Sequence, residues 1–264
     1  MVNFFLELNC VYQALIATLF TWLVTLLGAA LVFFFKNVKA IILDSMLALA
    51  GGVMIAASFW SLLSPAIEMA EENNINAWLW PLLGFISGGI LLYYSDKLFT
   101  KISQKKDELK NSNFKRSLFL IFSITLHNIP EGLAVGVAFG SLIYDQTQIL
   151  PAVLLALGIG IQNFPEGAAV SIPLRREGYS LKKSFFYGQL SGIVEPIFGV
   201  IGAILAIKVK LILPFLLSLA AGAMIYVVVE EIIPESQKNK NKSLIALFTL
   251  LGFSIMMVLD VALG

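Results

Sequence analysis

Apolar residues run along this chain in long blocks separated by short polar links. The blocks fall at about 12–35, 41–66, 77–96, 117–143, 149–174, 183–207, 211–234 and 243–263. None alternates with period two as a barrel strand does, and each is near the ~20 apolar residues that cross a bilayer as a helix. The pattern predicts an all-α integral membrane protein of eight transmembrane helices, forming one polytopic domain over residues 1–264. Ahead of Lys36 the N-terminal stretch MVNFFLELNC and the first block carry no positive charge, so the first block reads as a retained helix rather than a cleaved secretory signal.

The polar links set an orientation. Lys36 and Lys39 follow the first block, Arg175, Arg176, Lys182 and Lys183 join the fifth to the sixth, and Lys238, Lys240 and Lys242 precede the eighth. With the basic stretch 97–116, these four links hold 16 of the 18 Lys and Arg residues. Lys208 and Lys210 lie in a link on the other side. Basic loops stay cytoplasmic, which places both termini outside. Residues 97–116 are the one long polar stretch and read as a flexible cytoplasmic loop without histidine.

Composition agrees and excludes several classes. The 264 residues are 58% hydrophobic and 13% charged, against roughly 45–50% and ~25% in soluble domains. A net charge of +1 excludes a basic nucleic-acid binder. One cysteine, Cys10, excludes an intramolecular disulfide or a thiolate cluster, and one histidine, His127, excludes sites that need two within a chain.

Against this apolar background the polar residues stand out. The fourth block reads HNIPEG at 127–132, the fifth QNFPEG at 162–167, and the sixth holds Glu195-Pro196. Glu131, Glu166 and Glu195 all fall near the middle of their blocks, where an ionisable group is costly and marks function. His127 and Glu131 are four apart, so they share a helix face, and Gln162 and Glu166 repeat the arrangement with Asn128 and Asn163 beside them. Three carboxylates in hydrocarbon need protons or a cation, and the imidazole and amides offer neutral lone pairs to a metal. Pro130, Pro165 and Pro196 free carbonyls one turn back. The repeat on consecutive, oppositely directed helices predicts an inverted pseudo-two-fold, the pattern of secondary transporters with a midplane site. Met54 lies midway along the second block, where a methionine is ordinarily packing.

These residues resemble the ZIP family of divalent metal transporters, in particular its GufA-like branch. The resemblance rests on AGGVMIAASFWSLLSPAIE (50–68), HNIPEGLAVG (127–136), QNFPEGAAVS (162–171), SGIVEP (191–196) and AAGAMIYVVVEEIIPE (220–235), and spans nearly the whole chain. It implies a binuclear site. One ion would be held by Met54, His127, Glu131, Gln162 and Glu166. A second would be held by Asn128, Asn163 and Glu195, with Glu131 and Glu166 bridging. It further implies a homodimer and alternating access by one helix bundle sliding on another. Many relatives have histidine and an acidic residue where Gln162 and Asn163 stand, so the second position carries less charge here. The His-rich loop of many relatives is absent from 97–116.

The expected function is import of divalent transition metals through the cell membrane. Zn2+ suits imidazole and carboxylate best, a thioether admits Cd2+, and Fe2+ and Mn2+ remain open. The partners expected are these ions, the lipid bilayer and a second copy, with no prosthetic group and no nucleic acid. Glu68, Glu71, Glu72 and Asp260 on the outer side, and Glu230, Glu231 and Asp96 on the inner, are candidate pathway residues. The alternatives are a metal-selective channel, a proton-coupled carrier of organic substrates and, more remotely, an intramembrane hydrolase built on Glu230-Glu231; that last chemistry needs further histidines.

Overall fold

A computed structural model describes residues 5–35, 39–105, 112–208, 210–237 and 240–263. The side chains of Asp96 and His127 lie outside the described set, as do Lys36, Lys106, Lys110 and Lys238 altogether. The described chain is helical, with no strand among the described residues. We number the helices α1 (Cys10–Phe34), α2 (Ala40–Glu72), α3 (Leu79–Lys105), α4 (Ser112–Ser141), α5 (Ile149–Arg176), α6 (Leu181–Lys208), α7 (Leu213–Ser236) and α8 (Lys242–Leu263). Among the described residues six of them, α1, α2, α5, α6, α7 and α8, are long and apolar enough to cross a membrane. The apolar part of α3, Leu79–Ser95, is shorter.

Local chemistry fixes several helix starts. The Asn9 side chain accepts from Val11 N at 2.8 Å and that of Ser180 from Lys183 N at 3.3 Å, each supplying an acceptor to an orphan amide of a first turn. Asp145 does the same ahead of α5, accepting from Thr147 N at 2.9 Å and Thr147 Oγ1 at 2.7 Å. The Thr147 hydroxyl, and then its amide, hold the Asp145 carboxyl below the usual carboxylate range. This cap is therefore complete at neutral pH and is lost as pH falls through that lowered value.

The stretch expected as a loop at 97–116 departs from that reading. Helix α3 continues to Lys105 and α4 begins at Ser112. Lys, Glu, Gln and Ser tolerate a helix well, so polarity marks where the apolar environment ends and not where the helix ends.

The helices pack as two groups. Helices α1, α4, α5 and α6 pack on one another, chiefly as α4 on α6 and α1 on α5; α3 on α7 and α2 on α8 make the second group. The groups meet where α2 packs on α5 and α7 on α4. This scheme is unchanged when α1, α2 and α3 are exchanged for α6, α7 and α8, and α4 for α5. Small residues let the backbones approach, as membrane helices require. A Cβ on Gly136 would sit 2.8 Å from Gly199 Cα across the α4–α6 seam, and one on Gly28 would sit 2.8 Å from the Phe164 carbonyl carbon across α1–α5. Gly52 and Gly88 make the same close approach for α2–α8 and α3–α7.

Both α2 and α7 widen into a π-helical stretch, Ser58–Leu63 and Val228–Ile232. Each is followed within two residues by a proline, Pro65 or Pro234, that has no N–H for the preceding turn. The Ser58 hydroxyl bonds the Met54 carbonyl at 2.7 Å.

Candidate metal centre

The two proline motifs lie side by side on α4 and α5, and both helices run on through Pro130 and Pro165. On α6 a short 3-10 turn, Ser191–Ile193, precedes the helix that carries Glu195. Gly132 brings α6 in, since a Cβ there would meet Glu195 Cα at 2.8 Å. Gly167 brings α1 in the same way, with Ala29 N 2.8 Å from its Cβ position. The glycine of each motif thus lets a neighbouring helix backbone approach closely.

What these helices enclose is polar and buried. Asn128, Glu131, Gln162, Asn163 and Glu195 are 0% exposed and Glu166 is 3% exposed. Gln162 donates through Nε2 to Glu131 Oε1. Asn163 Nδ2 lies 2.9 Å from both oxygens of Glu195 and 3.2 Å from Thr21 O. Those three neighbours are all acceptors, which fixes the nitrogen end of the amide.

The remaining oxygens tell more. Asn128 Oδ1, Glu131 Oε2, Gln162 Oε1, Asn163 Oδ1 and both oxygens of Glu166 are buried with no hydrogen-bond partner among the described residues, as is Asn128 Nδ2. An unmade hydrogen bond at such a group costs about 1–3 kcal/mol, more for a charged one. The six oxygens, on adjacent turns of two helices, are therefore a reserve of donor lone pairs for a cation. No three His, Cys, Asp or Glu side chains converge on one point among the described residues, so the set consists of carboxylates interleaved with amides.

The other expected residues divide. Met54 is 0% exposed on α2, which packs against α5. Only the backbone of His127 is described, and it is helical within α4. Asp260 is half-buried and accepts from Ser61 at 2.7 Å, two turns along α2 from Met54. Glu68 is exposed and bonds Ser64 at 3.2 Å. Glu71, Glu72 and Glu230 are exposed and Glu231 is half-buried, all outside the buried polar cluster. Sequence reasoning missed Thr18, Thr21 and Thr25. All three are 0% exposed on one face of α1, and Thr21 donates to Glu195 Oε2. Their spacing of three and four residues along one face was the available signal.

Fold and site together define a multi-pass helical membrane protein with a buried carboxylate–amide centre. The model of the ZIP zinc transporter family matches residues 9–117 and 105–260. Zinc transporter ZIP11 from Homo sapiens is 38% identical, with 97% of this chain and 98% of that protein covered. Zinc transporter ZIPB from Bordetella bronchiseptica is 34% identical over 91% of this chain and 78% of its own, and zinc transporter GufA from Myxococcus xanthus is 32% identical over 78% and 81%. The chain belongs to the ZIP zinc transporter family, and to its GufA-like branch. It is accordingly a multi-pass membrane protein of metal transport, in a family of transporters and not of enzymes.

Proposed function

We propose that this chain imports divalent transition metal ions, zinc foremost, across the cell membrane through a site at the bilayer midplane. The observation that carries the reading is the set of unpartnered buried oxygens on Asn128, Glu131, Gln162 and Glu166. The relatives named zinc transporters support zinc as the ion. Met54, His127, Glu131, Gln162 and Glu166 form the metal position, and Asn128, Asn163 and Glu195 stand where the family resemblance implies a second. A thioether and an imidazole beside carboxylates favour zinc and admit cadmium. For a dication at 100 mV, inside negative, inward movement gains about 4.6 kcal/mol.

In this reading eight helices cross the bilayer with both termini outside, and the exchange symmetry of the packing is an inverted repeat. The carboxylates belong to the group α1, α4, α5 and α6. Sliding of that group along α2 and α7 would carry the ion from one face to the other, with a second copy of the chain as homodimer partner. The test is zinc uptake by proteoliposomes, with metal content of the purified chain measured alongside. Saturable uptake and counter-flow are expected. Flux indifferent to zinc would overturn the reading, and unsaturable flux without counter-flow would make the protein a channel.

Proton competition supplies a further prediction. The ring nitrogen that binds a metal is the one that binds a proton. Zinc affinity of the wild type should fall with pH as that ring takes up a proton. His127→Gln should bind more weakly but with a flatter profile. Identical slopes for the two would make His127 a structural residue.

A further inference from the structure

The buried polar residues of the centre divide by whether the protein has already used their lone pairs. Glu166 has both oxygens unpartnered, and Glu131 has one. Glu195 has none, although it is equally buried. A carboxylate offers about four lone-pair sites. At Oε2, Glu195 meets the Thr21 hydroxyl and Asn163 Nδ2; at Oε1 it meets Asn163 Nδ2 again, while the Thr25 hydroxyl donates to Thr21 O at 3.3 Å. Thr25 Oγ1 and Glu195 Oε1 lie 2.9 and 3.1 Å from the Cβ position of Gly192, so that glycine leaves room for both side chains. The Thr21 hydroxyl also reaches Thr18 O at 3.0 Å. Whichever group holds the shared proton, Oε2 is engaged by the protein.

We propose that Thr21 and Asn163 form a hydrogen-bonded clamp that withdraws Glu195 from the metal ligands, so that this chain holds one dication and Glu195 is a positioning residue joining α1, α5 and α6. This rests on the metal-site reading above and refines it. An aspartate at position 163 would lack the N–H groups that bind Glu195 and would repel it. The amide instead closes the second position from within. The open oxygens of Glu131 and Glu166 are left to a single ion.

The experiment is zinc titration of the purified full chain, read as stoichiometry and affinity. Wild type should bind one zinc per chain. Glu195→Gln should still bind one, weakened by about tenfold, the lower end for a group outside the ligand set, whereas Glu166→Gln should weaken it by at least about 100-fold, since a charged donor is lost. Asn163→Asp should bind two. Adding Thr21→Val to Asn163→Asp should tighten the second ion by about tenfold, the size expected of a residue acting through a ligand, and Thr21→Ser in its place should restore the Asn163→Asp value. Two zinc ions in wild type, with the second lost in Glu195→Gln, would overturn the clamp and leave the metal site standing. No bound zinc, or one indifferent to Glu166→Gln, would overturn the metal reading and the clamp with it. Should Asn163→Asp fail to fold, the wild-type count with Glu195→Gln decides alone.

Discussion

Replacing either Glu131 or Glu166 with alanine should abolish zinc uptake while leaving a folded protein. Both carboxylates are buried, and between them they hold three of the unpartnered oxygens of the centre. A unit charge pair at 4 Å is worth about 4 kcal/mol at an effective dielectric near 20, and a dication doubles that. Even a small part of this, at 1.4 kcal/mol for each tenfold, lowers affinity by more than about 100-fold. The fold should survive because the apo site already bears the cost of those carboxylates; removing one relieves mutual repulsion. The measurement is zinc uptake into proteoliposomes, with size-exclusion chromatography to establish folding. Near-normal uptake by either variant would remove the site from α4 and α5.

The second large effect belongs to the seam between α4 and α6. Gly136→Leu should lower stability by at least about 3 kcal/mol, the upper range for overpacking, and uptake should fall with it. The obstacle to a side chain at 136 is the backbone of Gly199, 2.8 Å away, which cannot rotate aside. Separating these helices also draws Glu195 from its place against Gly132. Gly89 on α3 is the contrast: its nearest neighbours to an added Cβ are 3.9 Å off, the Gly222 carbonyl oxygen and Tyr226 Cβ. Gly89→Ala should be neutral or stabilising by up to about 1 kcal/mol, the helix-propensity difference. Thermal unfolding in detergent reads both, and equal losses would mean that close approach is not what the seam requires.

The site was legible wherever a residue contradicted its surroundings. Glu131, Glu166 and Glu195 are conspicuous because an apolar helix has no reason to hold a carboxylate, and the repeated Asn-x-Pro-Glu-Gly adds symmetry to oddity. Thr21 and Thr25 contradict nothing. A membrane threonine can bond the carbonyl one turn back, as Thr18 does to Ala14 O at 2.8 Å, so its sequence does not reveal a partner on a distant helix. The helix extensions around 97–116 escaped because polarity and helicity are separate properties. The π-helical stretches escaped because proline announces a disturbance without saying which form it takes. Packing between helices lay mostly in glycines, whose meaning depends on what stands opposite.

Cys10 lies at the first turn of α1, 8% exposed, and is the only thiol in the chain. Thiol reagents react with the accessible thiolate, so the native protein is a nearly silent background for them. A cysteine introduced on either side of the α2–α5 or α4–α7 boundary would be the one group to label. Its rate of modification with and without zinc would then report directly which side of the bilayer that boundary faces at each stage of the cycle.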